Sequence, residues 1–187
     1  MNPVPALTQR STRAAEIVAV ARRILEDEGA DALTMRRLAA AVGMQAPSLY
    51  KHFETKRAVE AALIEHGLFE FGTALHAAVS AGARRSGGPV RRLLTTYRAV
   101  ALANPALYRL ATAGPLPRDD LAPGLEDWAG QPFFLATGDP WRAQALFAFA
   151  HGMVALELDD RFLPGSDLRP TWEAGALAFS GPSSQTN

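Results

Sequence analysis

The chain has 187 residues, 48% of them apolar, which is enough for one or two domains with a real core. Nineteen basic residues balance nineteen acidic ones, so total charge neither favours nor excludes nucleic acid. With no cysteine, disulfides and thiolate metal sites are excluded; with no apolar run near the roughly 18 residues of a membrane span and no signal-peptide core in "MNPVPALTQR", a cytoplasmic protein is expected.

The charge is unevenly spread. Residues 1–57 carry nine basic and six acidic side chains, and the rest carries ten and thirteen. A basic front on an acidic back suits a binding head on a neutral body. The first ten residues and the last eight are polar or rich in Pro, Gly and Ser, and read as loose termini. Between them the pattern is helical. Ile17, Val20, Ala21, Ile24 and Leu25 recur on one helical face, and Glu28-Gly29 stops that helix. Thr34, Leu38, Ala39 and Val42 predict a second, short helix ending at Gly43. Pro47 to Phe53 predicts a third, and Lys56 to about Val79 a long fourth. "RRSGGP" at 84–89 marks a break. Further helices are predicted at about Val90–Ala103, Pro105–Ala111, Leu121–Ala136, Pro140–Leu158 and Pro170–Phe179. No β-branched run alternates with period two, so no sheet is expected and the fold class is all-α.

The two short helices joined by "VGMQ" have the form of a helix-turn-helix. In the second, proline occupies the first turn, where its missing N–H would be unpaired anyway. So short a helix must be held by packing. Leu49 and Phe53, four apart, point inward against Leu38 and Val42. At about 100° per residue, Pro47 and Lys51 lie opposite Leu49, Ser48 and Tyr50 on the shoulders, and His52 nearer the buried edge. An outward face of Pro47, Ser48, Tyr50 and Lys51 can meet base edges and phosphates. A packed helical hairpin with a solvated face would show the same pattern.

The stretch "LTMRRLAAAVGMQAPSLYKHFETKRAVEAAL", with its preceding amphipathic helix, resembles the DNA-binding domain of the TetR family of bacterial transcriptional regulators. The resemblance rests on Leu33-Thr34, Leu38-Ala39, Val42-Gly43, Leu49-Tyr50, His52-Phe53 and Lys56. It implies an all-α homodimer with a DNA-reading head at 10–57, a ligand-binding and dimerisation domain at 58–180, and a tail at 181–187. Carried over by residue, Thr34 would contact phosphate and Arg36 a base. Ala46, Pro47 and Ser48 would face bases. Tyr50, His52 and Lys56 would contact the backbone, with Lys51 a further phosphate contact. One departure is the start of the recognition helix, where Gln45-Ala46 stand in place of a Ser or Thr cap; either could be the capping residue.

The second half resembles a subtype of that family with a His-Gly pair in the penultimate helix, here His151-Gly152. The family pattern assigns 140–158 and 170–179 to a four-helix dimer interface, in which Gly152 would permit close helix approach. Phe69, Leu94, Tyr97, Leu107, Tyr108, Trp128, Phe133, Phe134, Phe147 and His151 are candidates to line a pocket for an apolar or aromatic effector, although aromatic residues at helical spacing are more often core. His151 reads more readily as a packing histidine than as a pocket hydrogen-bonding group. His66 and Glu70, four apart, with His76 beyond, could start a metal site but lack further ligands at matching intervals. Glu157, Asp159 and Asp160 beside Arg161 read as a helix end with a salt bridge. No nucleophile–base pair or phosphate-cradling loop is present, so no enzyme and no cofactor is expected. The expected partners are double-stranded operator DNA, a small-molecule effector and a second copy, with no membrane; the expected role is a ligand-released repressor. A ligand-independent DNA-binding protein and an activator stay open as alternatives.

Overall fold

The computed structural model describes residues 3–81 and 88–181. The described residues form nine α-helices, one 3-10 turn and no strand. The helices are α1 (Thr12–Glu28), α2 (Met35–Ala41), α3 (Ala46–Tyr50), α4 (Lys56–Ser80), α5 (Pro89–Ala103), α6 (Pro105–Thr112), α7 (Leu125–Thr137), α8 (Pro140–Leu158) and α9 (Arg169–Phe179). The expected all-α class stands. Part of the expected break at 84–89, and most of the tail, lie outside the described residues.

Two boundaries differ from the sequence pattern by three residues or more, each for a local reason. Helix α3 stops at Tyr50, not Phe53, because His52 N–H and Phe53 N–H both turn back to the Leu49 carbonyl. Helix α7 starts at Leu125, not Leu121, because Pro123 and Gly124, at φ +76°, form a turn ahead of it. The sequence around Arg118–Asp120 makes the single 3-10 turn instead.

The chain divides into two compact units, residues 1–70 with 104–126 and residues 71–103 with 127–187. Helices α4 and α7 contribute residues to both. In the first unit the apolar stripe of α1 (Ile17, Val18, Ala21, Ile24, Leu25) is buried against Leu33, Leu38, Leu49, Phe53, Val59 and Leu63. Leu107 of α6 joins that core. Its side chain approaches Gly67, where an added Cβ would stand 3.2 Å from it. Ser11 caps α1 by accepting from Ala14 N–H at 3.2 Å. Residues 3–10 are not a loose end. The fully buried Glu65 accepts from Thr8 N–H (3.1 Å), Thr8 Oγ1 (2.5 Å) and Arg10 Nη1 (2.5 Å), and also from Ala122 N–H (3.1 Å). Helix α1 also grips α6: Glu26 accepts from the Ala106 and Leu107 amides, at 3.1 and 2.9 Å.

In the second unit α5 packs on α8 and α9. Two close approaches require glycine. A Cβ at Gly72 would collide with the Trp128 ring, and one at Gly175 with the ring of Phe149. Glu157 ties three helices together. It accepts from Arg98 Nε and Nη2 of α5 (2.9 and 2.8 Å) and from Trp172 Nε1 of α9 (2.7 Å). The sequence pattern pairs the acidic end of α8 with Arg161; Glu157 turns instead to Arg98, which stands beside it across the helix packing.

Candidate nucleic-acid interface

The interface is built around α2, α3 and the turn between them. Thr34 caps α2: its Oγ1 accepts from Arg37 N–H at 3.1 Å. Its own O–H proton remains available to a phosphate oxygen. The chain leaves α2 through Gly43, whose φ of +66° places it in the left-handed region that glycine adopts without strain. Arg13 of α1 clamps this turn, donating from Nη2 to the Val42 carbonyl at 2.7 Å. Arg37 binds Glu28 at the end of α1 through two hydrogen bonds, 3.0 and 2.6 Å. The pair holds the Glu28 carboxyl below its ordinary value, chiefly by those hydrogen bonds. Neither Arg13 nor the Arg37–Glu28 pair stands out in the sequence. Their partners lie on other elements, and no local spacing announces them.

Helix α3 is anchored from one side only. Leu49 is 0% exposed and Phe53 6%. Burying each contributes about 1.5–3 kcal/mol, more than a five-residue helix can gain from its own backbone. On the other side Ala46, Pro47, Tyr50, Lys51 and His52 are exposed, and Ser48 is half-buried. His52, expected nearer the buried edge, is exposed in the turn that follows α3, where its N–H closes back on the Leu49 carbonyl three residues earlier. Gln45 is the N-terminal capping residue, and its side chain makes no capping hydrogen bond. Arg36 is exposed on α2. Among the described residues no hydrogen bond or ion pair engages Arg36 or Lys51. Lys56 is loosely held at the start of α4, 3.3 Å from Glu60 and 3.4 Å from the Ala30 carbonyl. Exposed lysine pairs of that kind are worth about 0–1 kcal/mol, so a phosphate can displace them. Of the nine expected contact residues, Thr34 caps α2 and Arg36 lies on it, Ala46, Pro47, Ser48 and Tyr50 lie on α3, Lys51 and His52 lie in the turn after α3, and Lys56 opens α4.

The expected pocket residues are distributed over the two units. Phe69, Leu107 and Tyr108 belong to the first unit, and Leu107 is part of the core under the helix-turn-helix. The other seven belong to the second unit. There Tyr97, Phe133 and Phe147 form an edge-to-face chain, with ring centroids 5.8 and 5.5 Å apart, and Phe147 stacks on His151 at 6.0 Å. Leu94 and Trp128 are buried, and Trp128 stacks on His76 at 4.8 Å. Phe134 and Phe147 are each 48% exposed. Among the described residues a Cβ at Gly152 would meet nothing within 4 Å. Two of the three residues weighed as a metal site have other partners: Glu70 takes Arg22 (2.5 Å), and His76 Nε2 lies 2.9 Å from the Trp128 carbonyl. No helix among the described residues is long and apolar enough to cross a membrane.

Residues 17–63 match the family model described as bacterial regulatory proteins, tetR family. The chain is 47% identical over 49 residues to the tetracycline repressor protein class C of Escherichia coli; the match spans 26% of this chain and 22% of that repressor. In fold it is similar to the crystal structure of the regulatory protein SCO4313, with a TM-score of 0.72 and 25% identity, over 90% of this chain and 95% of that one. It is also similar to BioQ crystallised with its double-stranded DNA operator, with a TM-score of 0.60 and 20% identity, over 90% of this chain and 98% of that one.

Proposed function

We propose that this chain, which by its N-terminal domain belongs to the TetR family of bacterial regulatory proteins, is a dimeric, ligand-released repressor reading a pseudo-palindromic operator. The observation that carries the reading is the one-sided anchoring of α3. Leu49 and Phe53 hold it to the head, and Ala46, Pro47, Ser48 and Tyr50 are left to enter a major groove. In this reading Ser48 and the methyl-bearing surface of Ala46 and Pro47 meet base edges. Thr34, Tyr50, Lys51, His52 and Lys56 fix the head on phosphates. Arg36, from α2, reaches a guanine by two hydrogen bonds.

The dimer in this reading forms through α8 and α9. Both present apolar side chains to solvent: Trp141 is 74% exposed, Leu177 65% and Leu156 42%, with Ala145, Ala148, Ala174 and Ala178 exposed on the same two helices. Large exposed apolar patches mark association surfaces. Gly152, open on its own chain, gives a partner helix room to approach. An apolar or aromatic effector bound by the second unit releases DNA by shifting α4, which changes the separation of the two heads. Operator half-sites have fixed spacing, so a small shift costs many contacts together.

The test is selection of genomic fragments by the purified chain, followed by footprinting. Two protected half-sites about one helical turn apart are expected. Binding that no sequence enriches over bulk fragments would refute the operator reading.

A further inference from the structure

Helices α5 and α9 leave a groove of about 370 Å³ between them, on a part of the second unit that holds only one of the residues expected to line a pocket, Leu94. Its volume falls within the range of about 300–1,000 Å³ of small-ligand sites. The walls are apolar, from Leu94, Ala99 and Leu102 on one helix and Trp172 and Ala176 on the other. Three guanidiniums line it as well, Arg91, Arg98 and Arg169, against one carboxylate, Glu173.

The three arginines are held differently. Arg98 is fixed. Its partner Glu157 has a side chain only 7% exposed and also takes Trp172 Nε1, so one buried carboxylate sets both the guanidinium and the indole. Arg98 sits 6.0 Å above the Trp172 ring, which places a cation over an aromatic floor. Arg91 and Arg169 are at the rim. The Arg91–Glu173 side chains are 49% and 37% exposed, and those of Arg169–Asp167 are 85% and 50% exposed. Pairs so exposed are worth about 0–1 kcal/mol, so exchanging one acceptor for another there costs little. The floor is thus preorganised and the rim is exchangeable. Guanidiniums match a carboxylate by paired hydrogen bonds, and the apolar walls need an apolar body to cover them.

We propose that the α5–α9 groove binds a small organic anion, a carboxylate carried on an apolar body. The body lies on Leu94, Leu102 and Trp172, and the carboxylate takes Arg91 and Arg169 in place of their solvent-exposed partners. This binding stands apart from the operator reading and does not depend on it.

Decanoate and decan-1-ol, which share the chain and differ in the headgroup, test it on the full-length protein. The readout is the three tryptophan indole N–H signals in a nitrogen–proton correlation spectrum, with Trp172 assigned by Trp172→Phe. Decanoate should move the Trp172 signal and bind about tenfold more tightly than decan-1-ol. The double variant R91Q/R169Q should bring decanoate down to the alcohol's affinity. Thr95→Phe, at an exposed position on the groove wall, should abolish the Trp172 shift with both probes while leaving the fold intact. A Trp172 signal unmoved by decanoate, equal affinity for acid and alcohol, or an unaffected Thr95→Phe variant would each overturn the proposal.

Discussion

Glu65→Ala is the most informative single perturbation of the first unit. The wild-type carboxylate is fully buried and takes four donors, two of them from Thr8, one from Arg10 and one from the Ala122 backbone. Removing one member of a buried ion pair costs about 3–5 kcal/mol. Here the partner Arg10 precedes α1 and is already 14% exposed, so its side chain can turn into water, which lowers that figure. The Ala122 amide has no such escape, and a stranded buried donor costs about 1–3 kcal/mol. Together these give about 2–4 kcal/mol for Glu65→Ala. Glu65→Gln keeps an acceptor and the shape but loses the charge, so it should cost about half as much.

Urea unfolding gives the totals, and amide hydrogen exchange gives the location. The Thr8 and Ala122 amides should lose protection in Glu65→Ala, and those of α9 should not. A cost below about 0.5 kcal/mol, with both amides still protected, would refute the reasoning. The pH dependence supplies a second check. Burial alone pushes the Glu65 carboxyl up, but the hydrogen bonds from Thr8 and Arg10 and the Arg10 charge outweigh it and hold the group below 4.5. A depressed folded value means the stabilisation is complete above the unfolded value and is lost as pH falls through the folded one. The wild type should therefore lose stability below pH 4.5 more steeply than Glu65→Ala does.

Lys56→Ala should weaken binding to every DNA sequence alike and lower the salt slope by about one contact, read by fluorescence anisotropy at several salt concentrations. Arg36→Ala should instead relax preference at one base pair by about 1–3 kcal/mol; uniform weakening across a mutated-operator panel would show that it touches only phosphate. Trp141→Glu, which adds a charge to a side chain 74% exposed, should leave the fold intact and yield a 20.0 kDa species by sedimentation velocity; a persistent dimer would remove α8 from the interface. Gln45→Ser should stabilise the head by no more than about 0.5 kcal/mol by urea melt.

What the sequence made legible is short-range. The α1 stripe, the glycine that ends the second helix and the Leu49–Phe53 spacing are each decided by residues within a turn or two of one another. Hence the helices of the head and the outward placement of Pro47, Tyr50 and Lys51 could be read from the residue pattern, whereas the exposure of His52 could not. The ties that set the head's surroundings are long-range and polar. Arg13 reaches Val42 across 29 residues, Thr8 reaches Glu65 across 57, and Leu107 reaches Glu26 across 81. Nothing in local spacing marks a charged residue as one that will be buried on a distant partner. Leu107 shows the same limit for apolar residues: its helix pattern says that it is buried, but not in which core.

The unusual start of α3 follows from its proline. A capping side chain accepts from the second or third amide of a helix. Pro47 is the second residue of α3 and has no N–H to give. The third amide, Ser48 N–H, already donates to the Gln45 carbonyl at 2.9 Å. A serine at position 45 would therefore find no donor left wanting, and for that reason its gain is set at the bottom of the capping range. The missing cap is then no defect to be repaired by DNA. Proline removes the donor that a cap would serve and fixes its own φ, and Leu49 and Phe53 hold the rest. The tip of α3 is set by its backbone, the Pro47 ring and its packing, and no side chain from Ala46 to Ser48 is needed as a cap.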